Sequence, residues 1–395
     1  MSREAVIVAA ARTAVGRAKK GITRNLRPED MAVAVIQDLL GRVEGKLDPA
    51  RIDDVILGCA YPEGAQGLNV ARSIGIRAGL PVSVPAQTIN RFCSSGLQSI
   101  AMGAERIIAN GADIVIAGGV ESMSAVPMTG YHLSLDPWLV ENNPEVYMSM
   151  GLTAERVAEE FSISREDQDE FAFHSHRKAA AAVDAGKFED EIVPIEFEQV
   201  WVEADGTRMR EQMIFQADEH LRPDTTLDGL AGLKPVFKRN GTVTAGNASP
   251  LSDGAAAVLV MEAGTAVELG IEPMARFVGF SAAGVRPEIM GIGPVKAVPK
   301  LLSRTGLQLT DIDLVELNEA FASQSVAVMR ELEFDPELLN PNGGAIALGH
   351  PLGCTGAKLT TQLLYEMRRR GSRYGLVTMC IGGGMGAAGI FENLN

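Results

Sequence analysis

A nine-residue stretch occurs twice in this chain: IDDVILGCA at 52–60 returns as IDLVELNEA at 312–320, with Ile, Asp, Val, Leu and Ala in register. Each copy is an apolar run of strand composition that ends in a functional-looking turn. Chance likeness between two apolar strands is one reading of the echo, and two related α/β halves joined in tandem is the other. Further β-rich runs, at Val6 to Ala10, Val55 to Cys59, Ile114 to Ala117 and Ala256 to Met261, alternate with segments of helical period. That alternation predicts α/β layers in which helices cover a sheet. A helix is expected directly after Cys93, with Leu97, Ile100, Ala101, Ala104, Ile107 and Ile108 on one face. Between the two copies of the repeat, roughly 121–250, the chain is richer in Met, Pro and charge. It reads as an inserted domain of loops and helices, and insertions on one face of a fold commonly carry substrate contacts.

Bulk properties narrow the function. The chain has 395 residues, 46% of them hydrophobic, enough to bury a large core in two or three domains. Its 36 basic and 50 acidic residues leave a formal charge of -14, which repels a phosphodiester backbone, so no nucleic-acid partner is expected. No stretch approaches the roughly 20 uninterrupted apolar residues of a membrane helix. The opening MSREAVIVAAARTAVGR lacks the pattern of a secretory leader, so a cytoplasmic protein without a membrane span is expected. The four cysteines, Cys59, Cys93, Cys354 and Cys380, include no C-x-x-C pair, which argues for reduced thiols over a disulfide framework or a zinc knuckle.

Two glycine-rich blocks stand out. The tail GGGMGAAG contains G-x-G-x-x-G at Gly384, Gly386 and Gly389. As a dinucleotide fingerprint it would need a helix opening on those glycines and an acidic residue about 20 positions on, and only six residues follow, so no nicotinamide or flavin is expected. A tight turn bringing backbone close to a ligand, directly after Cys380, is the better use of these glycines. The second block, NGGAIALGHPLGCTGA, embeds His350 among Gly343, Gly344, Gly349, Gly353 and Gly356, a setting that packing alone explains poorly. His174 and His176, on a charged helix, are expected to be ordinary surface histidines. Cys93, at the start of its helix, is placed where the helix dipole and free N–H groups favour a thiolate nucleophile. Cys59 and Cys354 are expected to be small buried hydrophobes.

Taken together, NRFCSSGLQS around Cys93, NEAFA from Asn318, NGGAIALGHPLGCTGA around His350 and CIGGGMGAA from Cys380 resemble the thiolase family, over essentially the whole chain. The resemblance implies two similar βαβαβαββ-type halves in a five-layered α-β-α-β-α core with an inserted loop domain. The implied division is 1–120 completed by 251–272 as the N-terminal half, 121–250 as a loop domain covering coenzyme A, and 273–395 as the C-terminal half. It also implies that Cys93 is acylated, that His350 activates it and that Cys380 shuttles protons. Asn318 would hold a water that, with His350, stabilises an enolate oxygen, and the N–H groups of Cys93 and Gly382 would form a second oxyanion hole. On the substrate side, LRPDTTLDGLAGLKPVFKRNGTVTAGNASPLSDGAAA resembles the family's coenzyme-A-binding stretch. Arg222 is thereby implied at the adenine and phosphate end and Ser249 on the pantetheine arm, with Met150, Ala245 and Ala320 as further substrate contacts.

The implied activity is thiolysis of 3-ketoacyl-CoA in fatty-acid β-oxidation, with coenzyme A as co-substrate, no covalent cofactor and no metal. Ser149 stands where short-chain biosynthetic members tend to have His, and Pro250 where they commonly have Gly. YMSMGLTAERVAEEF looks instead like the degradative, broad-chain members, and Met148 and Met150 would let an acyl pocket adapt. A biosynthetic acetoacetyl-CoA thiolase is the nearest alternative. Decarboxylating ketosynthases, which pair cysteine with two histidines, are disfavoured by Cys380, and a non-catalytic acyl-CoA or lipid binder by the intact motifs. The resemblance further implies a homodimer or homotetramer, and for some members a complex with a hydratase and dehydrogenase chain.

Overall fold

The computed structural model describes residues 3–394. The N-terminal half runs β1 (Ala5–Arg12), β2 (Gly16–Arg17), α1 (Pro28–Gly41), β3 (Asp54–Gly58), α2 (Val70–Arg77), β4 (Ala86–Ile89), α3 (Ser95–Ile108) and β5 (Ile114–Ser122). The chain then leaves the sheet through α4 (Pro137–Asn142), α5 (Met150–Glu160), α6 (Arg165–Asp184), the hairpin β6 (Ile195–Val202) and β7 (Arg208–Phe215), and α7 (Leu227–Ala231). It returns as β8 (Ser252–Glu262), followed by α8 (Ala263–Glu268). The C-terminal half runs β9 (Ala275–Gly284), α9 (Gly293–Thr305), β10 (Leu314–Leu317), α10 (Ala322–Glu331), α11 (Ala345–Leu348), α12 (Leu352–Arg370), β11 (Tyr374–Ile381) and β12 (Met385–Asn393).

Sheet topology resolves the meaning of the repeated stretch. In the N-terminal half the strands lie in the order β1-β8-β5-β3-β4, and in the C-terminal half β9-β12-β11-β10. Both halves begin with two antiparallel pairings and continue in parallel. The strand corresponding to β4 is reduced in the second half to one parallel bridge between Val315 and Leu339. The two copies of the repeat are β3 and β10, the equivalent strands of the two halves, so the echo is a duplication. The halves meet where β1 pairs antiparallel with β9 at Val6 with Arg276 and Ile7 with Ala275.

Five layers result, with two like halves, as the resemblance implied. α1 and α2 cover the outer face of the first half over a core that includes Met31, Ile36, Leu39, Ile74 and Leu259. α9 and α10 cover the second half over Val298, Leu301, Val328 and Ile390. α3 and α12 fill the middle, packed on each other and on strands of both halves. A middle-layer helix is packed over most of its circumference, which is why Ser95, Gly96, Ser99 and Gly103 of α3 are buried along with the apolar residues, while Gln98, Met102, Glu105 and Arg106 form its more accessible side. The Ser99 hydroxyl, sealed inside, lies 2.7 Å from Gly96 O and 2.6 Å from Gly118 O. Ile108 departs from the expected face: it is the last residue of α3 and is exposed beyond the packed layer.

The inserted segment contains the β6–β7 hairpin as well as the loops and helices expected of it. It is pinned to β1 by Arg12, whose guanidinium donates to Glu191 Oε1 at 2.7 Å and to the two carboxylate oxygens of Asp218 at 2.9 and 3.1 Å, all buried. Among the described residues no helix is long and apolar enough to cross a membrane.

The crossing of α3 and α12 depends on two glycines. A Cβ on Gly96 would lie 2.6 Å from the backbone nitrogen of Ala357, and one on Gly356 would fall inside the contact shell of Leu97 N. Because the obstructing atoms are backbone, the helices would have to separate. Gly356→Ala is expected to destabilise the fold by at least about 1–3 kcal/mol, the usual cost of overpacking a tight core. Urea unfolding of the two proteins checks this, and an unchanged midpoint would contradict it.

Candidate active site

Cys93 sits on a single 3-10 turn, Phe92–Ser94, that runs directly into α3. Phe92 adopts φ +42, a left-handed conformation that costs a non-glycine residue about 1–3 kcal/mol and is typical of a side chain held in place for chemistry. The Cys93 sulfur receives N–H groups from Gly382 and from its own backbone. Cys93 is nevertheless 7% exposed, and burial outweighs those donors, pushing its thiol up to about 12. The resting group is therefore a thiol, not the thiolate that its position at a helix start suggested. Helix-end N–H groups act over short range, and the desolvation of a buried anion exceeds what two of them return.

Gly382 belongs to the turn between β11 and β12, Gly382–Gly384, with Gly383 at φ +80 and Gly384 at φ +86. The G-x-G-x-x-G pattern thus builds a hairpin turn and the start of β12, and no helix opens on it. A Cβ at Gly382 would touch Met150 and Phe92 at 3.6–3.9 Å, so these two side chains flank the N–H that reaches Cys93. Cys380, at the end of β11, is fully buried among Ala154, Val243, Ala248, Met290, Ala320 and Phe321. Burial, together with the neighbouring Cys93, raises its thiol well above the ordinary cysteine range.

His350 precedes α12, and its ring is ordered from both sides. Thr355 Oγ1 donates its one proton to Pro351 O at 2.8 Å, so it accepts from His350 Nδ1–H at 2.6 Å. This fixes the tautomer and leaves the Nε2 lone pair to accept from Asn318 Nδ2–H at 3.3 Å. Burial, helped by the nearby Lys358 charge, lowers the imidazole to about 3, so it rests neutral. Asn318 is fully buried and its Oδ1 has no protein partner.

Three anchors hold these loops, and none was legible as such. Glu121, at the end of β5, accepts from Ala60 N at 2.7 Å, Tyr61 N at 3.3 Å, Gln66 Nε2 at 2.8 Å and Gly353 N at 2.8 Å, tying the start of α12 to the turn after β3. Glu319 accepts from Ser175, Asn340 and the Ile346 backbone, which fixes the chain leading to His350. Ser252 Oγ takes the His350 backbone N–H at 3.1 Å. A carboxylate collecting backbone N–H groups across distant loops carries no spacing signature; Glu319 lay inside NEAFA and Ser252 inside the stretch resembling the coenzyme-A-binding segment, while Glu121 lay in no quoted motif.

The remaining expected contacts separate into two groups. Met150, Ala320 and Ser249 border the cysteines: Ala320 and Met150 pack with Cys380, and Ser249 N donates to Ala320 O at 3.0 Å. Ala245 is exposed on the loop between Val243 and Ala248. Arg222 is exposed, with its backbone N–H on His176 Nδ1 at 3.3 Å. His176 is not a surface residue: it is 5% exposed and lowered to about 4 by burial and by the Arg222 charge, while His174 is exposed as expected. The two are two residues apart on α6 and so face different sides. Cys59 and Cys354 are buried, and burial raises both thiols.

Comparison with known proteins agrees with this arrangement. Residues 5–264 match the family described as thiolase, N-terminal domain, and residues 271–393 match thiolase, C-terminal domain. The chain is 56% identical over 390 residues to a 3-ketoacyl-CoA thiolase of Bacillus subtilis (strain 168), covering 99% of each chain. Two solved structures superpose on it at 42% identity. An acetyl-CoA acetyltransferase of Bacillus anthracis has a TM-score of 0.90, covering 100% of this chain and 99% of its own. Human mitochondrial 3-ketoacyl-CoA thiolase has a TM-score of 0.88, covering 99% of each.

A neutral Cys93 thiol has a kinetic signature. Below the thiol pKa the thiolate fraction rises about tenfold per pH unit, so alkylation of Cys93 by iodoacetamide should climb steadily from pH 6 to 9. Peptide mass spectrometry locates the adduct. A rate already level across that range would instead reveal a preformed thiolate–imidazolium pair.

Proposed function

The chain belongs to the thiolase family, and from that membership and the geometry around Cys93 we propose that it cleaves 3-ketoacyl-CoA with free coenzyme A, releasing acetyl-CoA and a shortened acyl-CoA. The single observation that carries the reading is the Cys93 sulfur held by the Gly382 N–H beside Cys380, a nucleophile, an oxyanion donor and a second thiol brought together from opposite halves of the fold.

The steps follow from the residues. Cys93 gives its proton to His350 Nε2 as its sulfur attacks the 3-keto carbon. The resulting oxyanion lies in reach of the Cys93 and Gly382 N–H groups, and one such donor is typically worth about 3–4 kcal/mol of barrier. Collapse breaks the bond between C2 and C3 and passes the electron pair to the enolate of acetyl-CoA. Its oxygen is stabilised by protonated His350 and a water held by Asn318, whose unpartnered Oδ1 supports that role. Cys380 protonates C2 and acetyl-CoA leaves. Incoming coenzyme A returns a proton to Cys380 and its sulfur attacks the acyl-cysteine, after which Cys93 recovers its proton from His350.

Domain roles complete the proposal: 1–120 with 251–272 and 273–395 are the catalytic halves, and 121–250 covers coenzyme A, with Arg222, Ser249, Met150, Ala245 and Ala320 as its contacts. Ser149 and Pro250 favour the degradative, broad-chain reading. The likeness to an acetyl-CoA acetyltransferase favours a second one, condensation of two acetyl-CoA, which uses the same groups in reverse. The buried, unpaired thiols suit a reducing cytoplasm. A homo-oligomer is supported by β4, an edge strand flanked by Leu68 and Val82, which are 99% and 81% exposed.

Loss of the magnesium-enolate absorbance of 3-ketoacyl-CoAs from four to sixteen carbons, on adding coenzyme A, tests the reading. Thiolysis is expected across these lengths and is expected to vanish in Cys93→Ser and Cys380→Ser. Activity confined to four carbons would favour the acetoacetyl-CoA alternative, and full activity in either variant would contradict the mechanism.

A further inference from the structure

Cys380 must be a weak acid in one half of the cycle and a base in the other, yet its pocket is almost wholly apolar. From α5 it meets Ala154, from the inserted segment Val243 and Ala248, from the start of the second half Met290, and from the turn after β10 Ala320 and Phe321. Cys93 is the titratable neighbour whose charge bears on it. One polar side chain reaches the sulfur: Sγ–H donates to Gln324 Oε1 at 3.7 Å.

Gln324 is the third residue of α10 and is fully buried. Its amide has a single workable orientation. Ser325 Oγ donates its proton to Phe321 O at 3.0 Å, so it can only accept from Gln324 Nε2, at 3.2 Å. That leaves Oε1 to receive the Phe321 N–H at 3.4 Å and the Cys380 thiol. The side-chain stem is confined as well, because a Cβ on Gly291 would lie 2.8 Å from Gln324 Cβ. A carbonyl oxygen locked toward a thiol favours the protonated form and disfavours the thiolate.

We propose that Gln324 is the positioning residue for Cys380: it holds the sulfur in place and in its acid form until the enolate needs a proton. Once that proton is given, the thiolate faces a carbonyl oxygen that cannot donate to it. It is thereby driven to recover a proton from coenzyme A, so one fixed acceptor serves both halves of the cycle. The inference rests on the thiolase chemistry proposed above.

Two near-isosteric variants test it in the full-length protein. Gln324→Met removes the acceptor. The expected result is a kcat lower by about tenfold to a hundredfold, the usual cost of losing a group that orients a reacting one, with KM for coenzyme A little changed. The solvent deuterium isotope effect on kcat should rise, because proton transfer through Cys380 becomes limiting. In Gln324→Glu a buried, un-ionised carboxyl presents the same carbonyl oxygen and can still donate to Ser325. This variant should approach wild-type activity at mildly acidic pH and lose it as the carboxyl ionises, in a range where the wild type does not decline.

Acylation of Cys93 measured by intact mass counts competent molecules and separates loss of fold from loss of positioning. A Gln324→Met loss that merely tracks the competent fraction, with an unchanged isotope effect, would overturn the inference. So would a Gln324→Glu pH profile that parallels the wild type. An inactive wild type would instead remove the thiolase reading itself.

Discussion

The close approach of α3 and α12 at Gly96 and Gly356 is the contact on which the rest of the molecule depends. Two helices buried in a middle layer, touching through backbone, bring the first turn of each beside the other, and the loops before those turns carry Cys93 and His350. The same contact displays the duplication. Gly96 and Gly356 are separated by 356 − 96 = 260 positions, and so are Ile52 and Ile312, the first residues of the repeated stretch, at 312 − 52 = 260. In that register Cys93 corresponds to Gly353, His350 to Asn90, Asn318 to Gly58 and Cys380 to Val120. The two halves kept one backbone, and on the proposed mechanism they divide the chemistry: the first supplies the nucleophile, the second the base, the amide and the proton shuttle.

Burial then sets the character of the site. Cys93, Cys380 and His350 are all desolvated, and each is held in its neutral form, the thiols raised and the imidazole lowered. The Gly382 N–H is directed at the Cys93 sulfur and the Asn318 amide at His350 Nε2, so on the proposed mechanism donors are in place before charge develops. Such a site works by preorganisation. The rigidity it requires comes from Glu121 and Glu319, each collecting donors from loops distant in sequence.

Much of this was legible in the residues. The strands at β1, β3, β5 and β8, the helix after Cys93, and the four motif blocks all carry local signals, by period, by glycine content or by resemblance. What escaped is non-local. The burial of His176 and the exposure of Ile108 depend on where a layer ends, which a helical period cannot tell. In the hairpin, β7 is exposed along nearly its whole length and carries no buried face for a period to mark, although β6 alternates over Ile195 to Gln199. The raised Cys93 thiol reverses an expectation drawn from a helix end alone, because desolvation depends on everything packed around the sulfur. Glu121 and Gln324 act through hydrogen bonds to groups distant in sequence, and no quoted motif contains them.

The central claim is that a neutral, buried Cys93 is the group that takes the acyl chain, prepared for it by a histidine and a second cysteine from the other half. Brief exposure to isotopically labelled acetyl-CoA, followed by acid quench and peptide mass spectrometry, addresses it directly. The account predicts one acetyl group per chain, on the peptide containing Cys93. Label on Cys380, Cys354 or Cys59, or none on Cys93, would contradict it.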